Sequence, residues 1–91
     1  ISGFIIDESN KPIVGALINS EYTSAISGAS GHFKMPYLKD KPFKLEIKAS
    51  QYFAKTYIVN PNNDKQVEIV LEKESSDLIF RFQQFIKSIF N

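Results

Sequence analysis

The chain contains no cysteine, and this absence excludes disulfide bonds, thiolate catalysis and cysteine-based zinc sites. It also contains a single histidine, His32, so any metal site would have to be built mainly from carboxylate and amide oxygens. The turn PNNDK, residues 61–65, lacks the D-x-D-x-D-G pattern of a calcium-binding loop. We therefore expect no metal or other cofactor, and the alternative left open is an incidental cation at Asn62, Asn63 and Asp64.

The chain also lacks a large excess of charge of either sign and a long apolar run. Eleven basic residues against ten acidic residues give a net charge of +1, which argues against a dedicated nucleic-acid surface. The longest nearly uncharged stretch, residues 78–90, carries Arg81 and Lys87 and is shorter than the roughly 20 apolar residues of a membrane span, so we predict no membrane span. Because the chain begins ISGFIID, without a methionine or a leader, we interpret it as a piece of a longer protein.

What the chain does contain is a regular series of strand signals separated by turn residues. In the later strands Phe43, Leu45 and Ile47 alternate with charged residues, which predicts one core face and one solvent face. No helical pattern lies between the strands, and parallel neighbours would need crossover connections, so we predict an all-β, seven-stranded antiparallel sandwich over residues 1–74. The predicted strands cover residues 1–7, 15–22, 23–27, 32–38, 43–50, 52–60 and 66–73.

After residue 74 the period of the apolar residues becomes helical, and residues 75–91 predict an appended C-terminal amphipathic α-helix. Serine suits the N-cap there, and Asp77 and Lys87 lie where the helix dipole favours their charges. Phe80 lies outside the apolar arc, which is about 140° wide. The residues inside the arc are Leu78, Ile79, Phe82, Phe85, Ile86, Ile89 and Phe90.

An isolated helix of this length is marginal in water, so it needs a surface to lie on. One alternative is an apolar face of its own sandwich, where Leu17, Ile26 and Ile58 have the wrong parity for the core. The other is a second copy of the chain or the next domain of the parent polypeptide, and the position of Phe80 favours such a contact in addition. The predicted partner-binding residues are Leu78, Phe80, Phe82, Phe85 and Phe90.

A set of glycine, proline and apolar positions through residues 1–73 has a recognisable spacing. These positions are Gly3, Ile5, Asp7, Asn10, Pro12, Ile13, Gly15, Ala16, Ile18, Ala25, Ser27, Gly28, Gly31, Phe33, Met35, Leu45, Ile47, Gln51, Tyr52, Ile69 and Leu71. The pattern resembles the carboxypeptidase regulatory-like domain, a transthyretin-like (prealbumin-like) β-sandwich. Asn10 stands at a glycine position and tolerates the positive φ of a tight turn. The chain departs from the pattern at Gly28, where the family has Asp, and at Gln51, where it has Gly.

The resemblance implies a setting as well as a fold. Related domains follow the catalytic domain of metallocarboxypeptidases and extend TonB-dependent outer-membrane transporters and other cell-envelope proteins of Bacteroidota. We therefore expect an extracytoplasmic location, in the periplasm or associated with the outer membrane. Hydrolases of the transthyretin-like fold use several histidines, an arginine and a C-terminal Tyr-Arg-Gly-Ser, whereas this chain has one histidine and one arginine and ends SIFN.

The strongest candidate for a reactive loop is residues 27–42, which contain the histidine, the methionine, two glycines and two prolines. A nucleophile elbow requires G-x-S-x-G, whereas the sequence around Ser30 reads G-A-S-G-H. His32 precedes Phe33 on a predicted strand, so an inward Phe33 directs His32 to solvent. We interpret the stretch as a turn between strands and predict that the domain is not an enzyme.

The function that these observations favour is a non-catalytic structural or interaction module of a larger extracytoplasmic protein, acting as a spacer, folding aid or docking domain. The alternative is a ligand-binding module, for carbohydrate or for a peptide by strand addition. A coplanar pair of exposed aromatic rings would indicate sugar binding, and an open edge strand would indicate peptide binding. The candidate aromatic residues, most of which we expect in the core, are Tyr22, Tyr37, Tyr52, Phe53 and Tyr57.

Overall fold

The computed structural model describes residues 1–36 and 41–74, which form seven β-strands and no helix. The number and order of the strands confirm the prediction, although several strands are shorter than the predicted segments. Within this part of the chain no helix is long and apolar enough to cross a membrane. The predicted helix at residues 75–91 lies outside the described residues. The strands are β1 Ser2–Asp7, β2 Leu17–Asn19, β3 Ser24–Ile26, β4 His32–Lys34, β5 Phe43–Lys48, β6 Lys55–Val59 and β7 Gln66–Leu71.

The strands form two sheets, one of three strands in the order β4-β1-β7 and one of four strands in the order β3-β2-β5-β6. Four of the five neighbouring pairs in the described residues are antiparallel, as predicted. The pair β1–β7 is parallel, so the prediction of a purely antiparallel sandwich is wrong at this pair. Parallel neighbours require a long crossover connection, and here strands β2 to β6 provide it in place of a helix.

The first turn reverses the chain after β1 through the carboxylate of Asp7. Its Oδ1 accepts the backbone N–H groups of Ser9 at 2.8 Å and Lys11 at 3.0 Å. Asn10 adopts a φ of 64°, as its position in the family pattern predicts, because asparagine tolerates the left-handed region. Pro12 then forms an isolated bridge with Ile6, which returns the chain along β1.

One hydrophobic core lies between the two sheets, because both contribute side chains to a single cluster. Phe33 is the largest fully packed side chain and is 2% exposed. Of the predicted core positions, Phe43 and Tyr52 are half-buried and pack against the cluster, Tyr37 lies outside the described residues, and the others are buried. The core residues are Ile5, Ile13, Ala16, Ile18, Phe33, Met35, Leu45, Ile47, Val59, Val67, Ile69 and Leu71.

Gly3 provides the space that the Phe33 ring occupies. A Cβ atom at Gly3 would meet the carbonyl oxygen of Val67 and would lie 2.8 Å from Cε1 of Phe33. Gly3 is also the residue of β1 that pairs with both Phe33 and Val67. A side chain at this position would therefore push apart the strands on either side of β1.

The corner after β5 holds a non-glycine residue in the left-handed region. Gln51 has a φ of 71°, at the position where the family pattern has glycine. Its carbonyl oxygen accepts the N–H of Glu74 at 2.8 Å, and Tyr52 forms a bridge with Lys73, so the corner also holds the end of the described chain. The left-handed conformation costs a non-glycine residue about 1–2 kcal/mol.

We expect Phe33→Ala to lower the free energy of unfolding by about 3–5 kcal/mol, because it leaves a cavity between the sheets beside Gly3. Urea unfolding of the variant and of the parent chain measures the difference. Lys34→Ala is the matched control, since Lys34 is exposed on the same strand. Equal unfolding midpoints for Phe33→Ala and the parent chain would contradict the position of Phe33 in the core.

We expect Gln51→Gly to raise the free energy of unfolding by about 0.5–1 kcal/mol, because relief of the left-handed strain outweighs the added entropy of the unfolded chain. Thermal unfolding measures the change. Ser50→Gly, at the neighbouring exposed position without a positive φ, should instead destabilise the chain. A loss of stability in Gln51→Gly would show that the side chain of Gln51 contributes more than its strained backbone costs.

Candidate interaction surface

The turn between β3 and β4 is held by the hydroxyl group of Ser27. Within the described residues Ser27 is the buried polar residue, and it is 2% exposed. Its Oγ accepts the N–H of Ala16 at 2.9 Å and donates to the carbonyl oxygen of Ile13 at 2.7 Å. The backbone of Ser27 adds a bond from its N–H to the carbonyl of Ala16 and one from the N–H of Gly15 to its own carbonyl, both 2.9 Å. This hydroxyl therefore ties the chain before β2 to the chain after β3.

The remainder of this turn has hairpin geometry. The N–H of Gly28 donates to the carbonyl of His32 at 2.8 Å, and the N–H of Gly31 donates to the carbonyl of Gly28 at 2.9 Å. Gly31 has a φ of 74°, and a Cβ atom there would meet the carbonyl oxygen of Ile5. His32 is exposed, as predicted, and its ring packs edge-on against Phe4 with centroids 5.2 Å apart. The cluster of small and polar residues thus builds a tight turn.

The second candidate loop, residues 60–65, is closed by its own side chains. Asp64 Oδ2 accepts the N–H of Asn60 at 2.8 Å, and Asn60 Oδ1 accepts the N–H of Asn62 at 3.1 Å. The N–H of Asn63 donates to the carbonyl of Asn60 at 3.0 Å. Within the described residues no group of three or more His, Cys, Asp or Glu side chains could hold a metal ion. Of the three residues of the proposed cation position, Asp64 uses its carboxylate as an acceptor within the turn, and Asn62 and Asn63 donate their backbone N–H groups to Asn60.

A groove of about 530 Å³ lies between the turn that joins β2 to β3 and the start of β5. The turn is held by Ser20, whose Oγ accepts the N–H of Thr23 at 3.1 Å and donates to the carbonyl of Thr23 at 3.0 Å. Tyr22, which is 53% exposed, and Phe43 supply aromatic surface to the groove. Sequence reasoning did not find this groove, because it joins residues more than twenty positions apart.

The two exposed aromatic residues of the described chain, Tyr22 and Phe53, do not form a platform. Tyr22 lies on the turn beside the start of β5, and Phe53, which is 40% exposed, lies beyond the end of β5. The two rings therefore lie at opposite ends of the four-stranded sheet. Tyr52 and Tyr57 are half-buried and pack against the core, as predicted, whereas Tyr37 lies outside the described residues. The rings of Phe4 and His32, which are in contact, are not coplanar, because their interplanar angle is 60°.

The outer face of the four-stranded sheet carries Leu17, Ile26 and Ile58, as their parity predicts. Leu17 lies directly opposite Ile26, which is 67% exposed. Ile58, which is 59% exposed, lies opposite Lys44 in another row of the sheet. A row of polar residues separates the two groups, so the three apolar residues do not form one patch. That row consists of Ser24, Asn19, Glu46 and Thr56.

The outer face of the three-stranded sheet carries a more continuous set of apolar side chains. Ile6 lies opposite Val70 on one side and opposite Pro12 on the other, and Phe4 lies one row away on the same face. Ile6 is only 8% exposed although its parity places it away from the core, and Phe4 and Val70 are half-buried. We call Phe4, Ile6, Pro12 and Val70 the β1 patch.

Strands β3, β4, β6 and β7 lie at the sheet edges. The end of β7 is covered, because Lys55 Nζ donates to the carbonyl of Val70 at 2.9 Å and the N–H of Phe53 donates to the carbonyl of Glu72 at 2.9 Å. Strand β6 pairs with β5 on one side and is five residues long. Strands β3 and β4 have three residues each, so among the described edge strands β6 is the longest one that neither of these bonds covers.

No protein-family model matches the chain, and no curated protein matches it significantly. The resemblance to carboxypeptidase regulatory-like domains accordingly stays a prediction from the spacing of residues. The predicted partner-binding residues lie outside the described residues, so their role also stays a prediction. These residues are Leu78, Phe80, Phe82, Phe85 and Phe90.

Sequence reasoning missed the β1 patch although a signal for it exists. Phe4, Ile5 and Ile6 follow one another without a polar residue, and so do Ile69, Val70 and Leu71. Such continuous apolar runs are typical of strands buried on both faces, which are common in parallel pairs. The two runs belong to the two strands that pair in parallel, and they indicate that the outer face of this sheet is apolar around Ile6 and Val70, although the polar residues of its edge strands are exposed.

We expect Ser27→Ala to lower the free energy of unfolding by about 2–4 kcal/mol, because the buried N–H of Ala16 and carbonyl of Ile13 lose their partner. Chemical denaturation measures the loss. Ser30→Ala, in the same turn, is the matched control and should stay within about 0.5 kcal/mol of the parent chain, because its side chain is exposed. His32→Ala, at the start of β4, should cost about 1 kcal/mol or less, because the exposed ring loses only its contact with Phe4. A cost at Ser30 equal to that at Ser27 would contradict this assignment.

Proposed function

We propose that this domain is a non-catalytic structural and interaction module of a larger protein, which acts as a spacer, folding aid or docking domain. The observation that carries the proposal is that the polar side chains in the turns form hydrogen bonds with the backbone of the domain itself. Each of them donates to or accepts from the backbone of its own or an adjoining turn, as expected of a scaffold. These side chains are Asp7, Ser20, Ser27, Asn60 and Asp64.

The resemblance to carboxypeptidase regulatory-like, transthyretin-like domains supports the same function. Two turn positions of that pattern, Asn10 and Gly31, have the positive φ that the pattern requires. From the resemblance alone we propose that the parent protein lies outside the cytoplasm, in the periplasm or at the outer membrane of a cell envelope of the type found in Bacteroidota. The partner is the rest of the parent polypeptide, another protein or a second copy of the chain.

The docking residues that we propose are the apolar residues of the C-terminal segment. Phe80 is the residue of this set that the apolar arc does not include, so it is free to contact a partner when the arc is buried. An exposed aromatic side chain is a common anchor in protein interfaces. The full set is Leu78, Phe80, Phe82, Phe85 and Phe90.

We expect Phe80→Ser to weaken self-association, measured by sedimentation velocity from micromolar to millimolar concentration, and to change the free energy of unfolding by less than about 0.5 kcal/mol. Ile58→Ser is the matched control, because Ile58 is an exposed apolar residue elsewhere on the surface. A chain that stays monomeric at every concentration, with or without Phe80→Ser, would refute self-association. Loss of an activity of the parent protein in a folded His32→Ala variant would refute the non-catalytic role.

A second candidate is the binding of an extended peptide by strand addition, which the position of β6 favours. An edge strand presents unpaired backbone groups that a further strand can use. Strand β6 contains Thr56, Tyr57, Ile58 and Val59, which are residue types common in strands. Slower amide exchange in β6 within the intact parent protein than in the isolated chain would support this candidate, and equal rates would exclude it. Carbohydrate binding is less favoured, because Tyr22 and Phe53 lie far apart.

A further inference from the structure

The centre of the outer face of the three-stranded sheet is more apolar than a surface in contact with water should be, whereas the edge strands place exposed polar residues on the same face, namely His32, Lys34, Gln66 and Glu68. On the four-stranded sheet the outward residues of the central strand β5 are Lys44, Glu46 and Lys48. On the three-stranded sheet the outward residues of the central strand β1 are Ser2, Phe4 and Ile6. A sheet with one solvated face alternates apolar and polar residues, whereas β1 and β7 contain apolar runs. This difference indicates that another part of the protein covers the β1 patch.

The described chain ends at Glu74, four residues beyond Val70 and at the same end of the sheet as the patch. Strand β7 ends at Leu71, one residue after Val70, and the bridge from Lys73 to Tyr52 and the bond from Glu74 to Gln51 hold the next three residues. The chain therefore continues from the same end of the sheet at which Pro12, Ile6 and Val70 lie side by side. A segment that turns back at this point runs over β1 and β7.

The dimensions of a helix over residues 78–90 fit this face. Thirteen helical residues span about 20 Å, and the six residues of β7 also span about 20 Å. A three-stranded sheet is about 10 Å wide from first to last strand, which one helix of about 10 Å diameter covers. Residues 75–77 reach about 10 Å when extended, which is the separation between packed layers.

The strands of this face carry one acidic and one basic side chain, Glu68 and Lys34, so the face offers one acidic partner to a basic residue of the segment. Glu68 lies opposite Phe4 and places a carboxylate beside the β1 patch. The C-terminal segment carries two basic residues, Arg81 and Lys87, and one acidic residue, Asp77. A basic residue at the edge of the apolar arc can therefore approach Glu68 while the apolar residues of the segment meet Phe4, Ile6 and Val70.

We propose that residues 75–91 fold back as an amphipathic helix onto the outer face of the three-stranded sheet and cover the β1 patch. The occupant is the C-terminal segment of the same chain, and the sheet β4-β1-β7 becomes the middle of three layers. The apolar arc then faces Phe4, Ile6 and Val70. The docking residues that belong to the arc therefore bind within the chain, and Phe80 is the member of the docking set that stays toward solvent for a partner. This inference concerns the position of the segment and does not depend on the proposed function.

Paramagnetic relaxation measured by NMR tests the proposal on the full chain. The chain has no cysteine, so Gln84→Cys accepts a single nitroxide label, on the side of the predicted helix opposite to the apolar arc. We expect the strongest loss of amide signal in β1 and β7, at Phe4, Ile6 and Val70, and a much weaker loss at Lys44 and Glu46 on the other sheet. Phe85→Ser in the labelled chain should abolish the loss, whereas Phe80→Ser should preserve it.

Three results would overturn the proposal. The strongest signal loss at Lys44 and Glu46 would place the segment on the four-stranded sheet, and no signal loss would leave it undocked. In a mixture of spin-labelled chains with isotope-enriched chains that carry no spin label, signal loss can arise only between two molecules. Signal loss seen only through this intermolecular route would assign the patch to a second copy. Because Phe80→Ser tests the partner contact and Phe85→Ser tests the intramolecular contact, failure of one proposal is distinguishable from failure of the other.

Discussion

The parallel pairing of β1 with β7 is the interaction on which the rest of the fold depends. It joins the first and last strands of the described chain, so everything between them must form one long crossover. Strands β2, β3, β5 and β6 of that crossover form the four-stranded sheet, whereas β4 pairs with β1, and the two sheets pack on one core. The register is restricted at Gly3, where the Phe33 ring and the carbonyl of Val67 leave no space for a side chain.

The turns use a common mechanism, in which a short polar side chain accepts backbone N–H groups close in sequence. Asp7, Ser20 and Asn60 do this in three different turns. Ser27 differs, because its hydroxyl connects segments eleven and fourteen residues away and is buried. The polar chemistry of the described loops thus supports the scaffold, and the surfaces available for recognition are apolar patches and strand edges.

Much of this fold was predictable, because alternation of apolar and charged residues is a local signal. The core positions of β5, Leu45 and Ile47, follow directly from that alternation, and so does the outward direction of His32. The direction of β7 beside β1 was not predictable in this way, since pairing between residues more than sixty positions apart leaves no trace in either strand alone. Only the apolar runs at Phe4 and Val70 indicated that these strands differ from the others.

The sequence by itself determined the seven strands, the sides of those strands that form the core, and the turns at Asn10 and Gly31, because each depends on neighbouring residues and backbone preferences. Only the tertiary structure decided which strands lie side by side, and it therefore decided which outward residues meet. It separated Ile58 from Leu17 by a polar row, and it assembled the β1 patch from β1, the turn that follows it and the distant strand β7. The physical reason is that neighbouring residues on one face of a sheet come from different strands. The alternation of apolar and polar residues that predicts the face is read along a single strand.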